Sequence, residues 1–486
     1  MEKRSKKIKS MYGKYSFEKK IYLVGVGSIG KPLLYLLLRL VKLFPDKITI
    51  IDKVNKPKDI ELFTNLGVKF VHGTLTKNTL PTIFKNIEKG DLIIDAAYNI
   101  STYDLIKFSQ EKNCCYINSS IDVWGEHDNV AYIPNPLDNA INHEHDKLFA
   151  LNKKNKNFNA VISMGCNPGN VSIWAKVGLD KINEVENNNK PFKSYAELAQ
   201  ILGVEVVQIS ERDTQVTNVP KRVNEYCNTW SSDGTMYYDE ALSCAEMTWG
   251  THEKKLPNDV ASNQDGYIVL NRMGIYTQAQ TVVPIYGRYI GNIIKHDEAY
   301  TIGKTLELKK DNKVIYRPSV YYIYHPCDAA RMSIEELKER QYKYQKYWRI
   351  LTDDIVSGQD ILGITYFLKN KKVYWIGSLL DIHEARKIFD NKLDEWINAT
   401  NVQVITGYLT GILHIMDLVN NNKYEGMKIP DDLDHKLVME FAQAFLGDFI
   451  FTEIKDFKLI KYDKNFINSK QEEFTNDWQF ENFIIN

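Results

Sequence analysis

The chain has 486 residues, with 62 Lys and Arg against 62 Asp and Glu, and 44% hydrophobic residues. The length predicts two domains rather than one large core. The zero formal net charge leaves no electrostatic footprint for nucleic acid. The six cysteines, scattered without a C-x-x-C spacing, offer neither a zinc site nor a disulfide framework.

The basic opening "MEKRSKKIKS" is followed by no apolar signal region. A cytoplasmic protein with reduced thiols is therefore expected. The first informative stretch is "IYLVGVGSIGKPLLYLLLRLVKLFPDKITIID", residues 21–52. It reads as a buried strand, a glycine turn, a helix and a second strand ending in an acid. Gly25, Gly27 and Gly30 form G-x-G-x-x-G, with Ser28 and Ile29 inside it. The first glycine permits a tight turn, the second lets backbone approach a pyrophosphate, and the third lets helix pack on strand. The helix N-terminus then faces the phosphates. Asp52 is placed to bind ribose hydroxyls and to repel a 2′-phosphate, which favours NAD over NADP, although Lys53, Lys56 and Lys58 lie close by. The apolar run at 32–44 is too short to span a membrane and carries Arg39 and Lys42, so it is read as the first Rossmann helix.

Strand-like runs "KITIID", "VKFV", "DLIIDAA", "CCYIN" and "AVISMG" then alternate with the helical segments "DIELFTNLG", "TLPTIFKNI" and "TYDLIKFSQEK". This alternation predicts an α/β fold with a doubly wound parallel sheet. Ligands bind beyond the carboxyl ends of such strands. Candidate cofactor contacts are therefore Thr74 and Thr76, Ala97, Asn99 and Thr102, Asn118 and Ser119, and Asn167 with Pro168. "NHEHD" offers two histidines, but i and i+2 do not share a helix face, so no metal site is expected there.

Beyond about residue 165 the pattern changes. "VEVVQIS", "GYIVL" and "TVVPIYGRYIG" predict a mixed or antiparallel sheet, and "SIEELKERQYKYQKYW" predicts a long helix. This gives a Rossmann domain at 1–165 and an α+β domain at 166–486. "VQVITGYLTGILHIMDLV" reads as a buried helix in which Gly407 and Gly411 permit close contact, within the chain or between subunits.

Acids and aromatics concentrate in the second part: Glu211, Arg212 and Asp213; Trp230 and Asp233; Asp239, Glu240, Glu246 and Trp249; His296 and Glu298; Tyr324, His325 and Asp328. Carboxylates beside aromatic faces suit a cationic ligand, because ion pairing and cation–π attraction act together. Taken singly, Glu211 also reads as a salt-bridge partner, Trp230 and Trp249 as core residues, His296 as structural, and Arg212 as neutralising its two acidic neighbours.

The motifs "VGVGSIGKPLLYLLLR", "YINSSIDVW", "SMGCNPGNVSIW", "ISERDTQ", "NTWS", "AEMTWGT", "YRPSVYYIYHPCDAA", "WRILTDDIVSG" and "DWQFENFI" occur in this order along nearly the whole chain. In them the sequence closely resembles the bacterial homospermidine synthases of the saccharopine dehydrogenase-like superfamily. The resemblance implies an NAD-dependent, redox-neutral enzyme that is a homodimer, with residues 166–486 as the catalytic and dimerisation domain. It joins two putrescines, or putrescine and spermidine, with loss of ammonia, through hydride abstraction, imine exchange and re-reduction. It places active-site roles on Asp122, where the family commonly has Glu, and on Asn167, Glu211, Trp230, Glu240 and His296. The stretch from Trp230 to Glu240 is two residues longer than in the family. Two alternatives stand beside this reading. One is a reductive-amination dehydrogenase of the saccharopine or carboxynorspermidine type, which would need paired arginines in its pocket. The other is a non-enzymatic NAD-binding regulator, which would lack the acid and aromatic cluster.

Overall fold

The computed structural model describes residues 2–125, 140–230, 241–460 and 477–485. The first sheet grows from short apolar segments that alternate with helices. Its strands are β1 (Ile21–Val24), β2 (Ile48–Asp52), β3 (Lys69–His72), β4 (Leu92–Asp95), β5 (Cys115–Asn118) and β6 (Asn159–Val161). The spatial order is β6-β5-β4-β1-β2-β3, and every pairing is parallel. β1, β4, β5 and β6 are buried along their whole length, which is why they read as unbroken apolar runs. Helix α1 (Gly30–Leu40) follows the glycine turn, and α2 (Thr102–Lys112) follows β4. The segments at 61–64 and 80–83 form single helical turns where the sequence suggests longer helices.

The chain returns to this sheet late. Strand Gly426–Lys428 pairs in parallel with β6 and makes the sheet seven-stranded. Long-range pairing of this kind has no local sequence signal.

The second sheet has eleven strands and is mixed, as the sequence suggests. Its centre is β7 (Val204–Asp213). The other strands used below are β8 (Cys244–Thr248), β9 (Val260–Gln264), β10 (Tyr267–Met273), β11 (Gln278–Val283), β12 (Gly287–Ile294), β13 (Ser319–His325), β14 (Gln359–Leu368) and β15 (Val373–Asp381). β13 runs parallel to β7 on one side and β14 antiparallel on the other. "TVVPIYGRYIG" is a hairpin, β11 to β12, turning at Pro284 and Tyr286.

Helices α4 (Asn170–Asn187) and α5 (Asp297–Thr305) pack on the second sheet, and α3 (Ile141–Asn152) packs against α2 and α5. The long helix expected from "SIEELKERQYKYQKYW" is shorter than its pattern. Helix α6 (Asp328–Glu339) stops because Gln341 and Tyr342 take left-handed backbone, and the strand Tyr347–Ile350 follows.

Helix α7 (Ala399–Asn420) is the structural keystone. It is the one described helix long and apolar enough to cross a membrane, and it is buried in the core instead. A Cβ on Gly407 would lie 1.8 Å from the carbonyl oxygen of Gly165, and one on Gly411 would lie 2.6 Å from Ile117. The two glycines therefore serve packing within the chain. All six cysteines are buried and free.

Candidate active site

The glycine turn sits at the carboxyl end of β1. Gly25 has φ +83°, a conformation that side chains with a Cβ rarely adopt, and a Cβ there would meet the Ala96 carbonyl at 2.8 Å. A Cβ on Gly30 would lie 2.1 Å from the Gly25 carbonyl, so α1 packs tightly behind the turn. The Asp52 carboxylate accepts from the backbone N–H of Val26 at 2.8 Å and of Val54 at 2.7 Å. A carboxylate offers about four acceptor sites, so capacity remains for ribose hydroxyls.

This turn forms one wall of a cleft of about 1050 Å³, at the upper end of the range of ligand sites, roughly 300–1,000 Å³. Gly25, Gly27, Ser28, Ile29, Asp52, Thr74, Ala97, Ser119, Asn167 and Pro168 line it. So do Glu211, Trp230 and His296, which brings the residues of the two sequence clusters into one space. Tyr344, Gln345, Lys346 and Trp348 line it as well.

Other sequence candidates lie outside the lining. The Thr76 hydroxyl meets that of Thr79 at 3.1 Å within its own loop. Thr102, Asn118, Asp122 and Asn99 form a knot beneath the crevice. The Asn118 side chain donates to the Thr102 hydroxyl at 2.9 Å, and that hydroxyl accepts from the Asp122 N–H at 3.0 Å. The Asp122 carboxylate in turn accepts from the backbone N–H of Asn99. Glu240 lies outside the described residues, as do Asp233 and Asp239. Glu246 accepts from the Ile141 N–H at 3.0 Å, and Trp249 packs edge-on against Phe480 in the core.

Opposite the glycine turn, β7 presents Glu211, which is 2% exposed. Its carboxylate accepts from Tyr322 Oη at 2.7 Å and from the Asn167 side-chain amide. Among the described residues it makes no ion pair, so the salt-bridge reading does not hold. Burial pushes its carboxyl up to about 7, opposed by the two hydrogen bonds and assisted by the neighbouring Asp213. Strand alternation turns Arg212 to the other face, where its guanidinium donates to Tyr286 Oη at 2.7 Å, although its charge still acts to lower the Asp213 carboxyl.

The antiparallel register sets Asp360 of β14 directly across from Asp213. Asp360 is fully buried; one carboxylate oxygen accepts from Thr400 Oγ1 at 2.7 Å, and the other has no hydrogen-bond partner among the described residues. Burial and the charges of Glu211 and Asp213 push its carboxyl well up. Burial likewise pushes Asp213 up to about 6. Three acids thus gather on one face of the sheet, and Thr400 at the start of α7 links them to the cleft.

His296 precedes α5, and its Nδ1 lies 2.6 Å from a carboxylate oxygen of buried Glu298. Its ring is 4.5 Å from that of Tyr322, centroid to centroid. Asp297, next in sequence, ties the two sheets together through His145 Nε2 at 3.0 Å and Ser163 Oγ at 2.9 Å. Tyr322 and Asp360 were not singled out in the sequence. Tyr322 shares the tyrosine-rich run with Tyr324 and could have been found by strand alternation. Asp360 is revealed only by register.

A glycine-cradled crevice that opens onto protonatable carboxylates defines a dinucleotide-dependent enzyme of the dehydrogenase class. Comparison with known proteins narrows this. Residues 21–162 match the saccharopine dehydrogenase NADP binding domain, and residues 165–449 match the saccharopine dehydrogenase C-terminal domain. The homospermidine synthase of Mesorhizobium japonicum is 29% identical over 449 residues, 88% of each chain. That of Blastochloris viridis is 29% identical over 442 residues, 88% of this chain and 89% of the other. The crystal structure of the Legionella pneumophila homospermidine synthase in complex with NAD superposes with a TM-score of 0.84 at 30% identity, covering 97% of this chain and 98% of that one. The chain belongs to the saccharopine dehydrogenase family and, within it, to the homospermidine synthases.

Proposed function

We propose that the protein condenses two putrescines to homospermidine with release of ammonia, using NAD bound in the crevice. The observation that carries this reading is the shared cleft: the glycine turn and Asp52 on one wall, Glu211, Trp230 and His296 on the other. The cradle fits a dinucleotide, since Gly25 and Gly30 let the turn close tightly against the Ala96 backbone and α1, and Asp52 keeps acceptor capacity. NAD supplies the hydride acceptor and donor in one reaction cycle.

The chain's own residues handle the protons and the charge. A putrescine ammonium must lose a proton before its carbon gives up hydride. Glu211, its carboxyl raised by burial, is placed to accept that proton, with Tyr322 and Asn167 fixing its oxygen. Asp213, two residues along the same strand, supplies negative potential behind it and favours a cationic substrate over a carboxylate one, while Asp360, held protonated by burial, adds no charge of its own. Trp230 offers an aromatic face to a cation, a contact of about 0.5–2 kcal/mol. His296, oriented by Glu298, serves the leaving amine. Glu240 is retained in the proton-handling group. Asp122 is assigned to holding the Asn99 turn at the border of the crevice.

We further read residues 1–165 as the NAD-binding domain and 166–486 as the catalytic and dimerisation domain of a cytoplasmic homodimer. Incubating purified protein with putrescine and substoichiometric NAD tests the function. Homospermidine and ammonia, many per NAD, are expected. Stoichiometric NADH without homospermidine would sink the assignment.

A further inference from the structure

A second cavity of about 450 Å³ lies beside the catalytic strand and is separate in its lining from the cleft described above. Its character is cationic. Arg212 of β7, Arg288 of β12, His325 of β13, and Arg331 and Lys338 of α6 all line it. Among the described residues, the one acidic side chain in the lining, Glu335, is 2.9 Å from Lys338. The partner of Arg331 is Asp328, 3.7 Å away and 87% exposed, and an exposed pair of that kind neutralises little.

Arg331 and Lys338 pair with acids of their own helix, and Arg212 makes no ion pair among the described residues. The Arg212 guanidinium is fixed by Tyr286 Oη at 2.7 Å and lies 4.1 Å from the centre of that ring, while its Nε is buried with no hydrogen-bond partner among the described residues. The His325 imidazole is pushed down to about 4, chiefly by burial and then by the charges of Arg212 and Arg331. A lining so charged repels a diamine. It attracts a compact anion, and guanidinium forks match the oxygens of a phosphate. The cavity is larger than a bare phosphate needs, and Ile275, Ile290 and Tyr289 supply an apolar flank for a small body.

We propose that this cavity is a binding site for a small phosphate-bearing anion, held by Arg212, Arg331 and Lys338. Because Arg212 directly follows Glu211 on β7, occupancy would be felt one residue from the carboxylate that handles the substrate proton.

NAD-saturated protein, titrated by calorimetry with inorganic phosphate and with glycerol 3-phosphate, tests this. Saturation with NAD removes the glycine-turn phosphate site from the titration. One saturable site per chain is expected, weakened about tenfold or more in Arg331→Ala and in Lys338→Ala, as loss of a charge-assisted bond implies. Both positions are at least partly exposed, and an unchanged Tm and NAD affinity will show that the fold is kept. Tighter binding of the ester than of phosphate identifies an esterified ligand, and equal binding identifies free phosphate. No saturable binding to the wild-type protein, or binding that both variants leave unchanged, overturns the proposal.

Discussion

Glu211 shows how one residue's surroundings convert a common side chain into a reagent. Buried, hydrogen-bonded at one oxygen and flanked by Asp213, its carboxyl rises to about 7. Glu211→Gln keeps the shape and removes the base. Turnover is expected to fall by roughly 10²–10⁴-fold with NAD affinity unchanged, the range general-base catalysis supplies; an active variant would remove Glu211 from the mechanism. Trp230 belongs to the same scale. Trp230→Phe keeps an aromatic face and much of the activity, whereas Trp230→Ala loses most of it with Tm little changed. A large Tm drop in the alanine variant would mark a packing residue instead. On the opposite wall, Asp52→Ala should weaken NAD binding by about 1.5–3 kcal/mol, the contribution of a hydrogen bond to a charged group. Calorimetry on the two proteins decides it.

At the scale of elements, α7 holds the two halves in register. Its first turn carries Thr400, which reaches Asp360, and Asn401, whose amide donates to the Ser28 carbonyl at 3.3 Å. Its middle lies on the Gly165 turn, where a Cβ has no room. Gly407→Ala must push helix or turn apart, and destabilisation of about 1–3 kcal/mol is expected from overpacking. Because Gly165 and Pro168 lie in the cleft wall, NAD affinity should fall with it. A denaturant midpoint equal to that of the wild type would show that the helix shifts freely. The glycines of "TGYLTG" were visible in the sequence, but not which surface they touch.

At the scale of the molecule, the buried acids make stability depend on pH. Glu211, Asp213 and Asp360 are all raised by burial, so the folded state binds protons that the unfolded state releases. Their contribution is fully present below the unfolded carboxylate range and is lost as pH rises through about 6 and 7. Tm should therefore fall between pH 5 and pH 8, less in Glu211→Gln, and putrescine should restore more of it at pH 8 than at pH 5. An identical pH profile in the variant would refute the coupling. The two sheets also depend on each other. A fragment ending at residue 165 lacks strand Gly426–Lys428 and the α7 surface, so it should not bind NAD when titrated alone.

By itself the sequence determined what is local. The strand, glycine turn, helix and acid of residues 21–52 follow from periodicity and from the steric freedom of glycine, and the ordered motifs identified the family. Tertiary structure decided what depends on residues far apart in the chain. Strand register set Asp360 against Asp213, the return of Gly426–Lys428 completed the first sheet, and the Tyr322 hydroxyl met Glu211 across adjacent strands. It also turned Asp122 toward Asn99 and Arg212 toward Tyr286. The reason is physical: backbone propensity acts over a few residues, whereas burial, the field at a carboxylate and the neighbours of a hydroxyl exist only once distant segments have packed together.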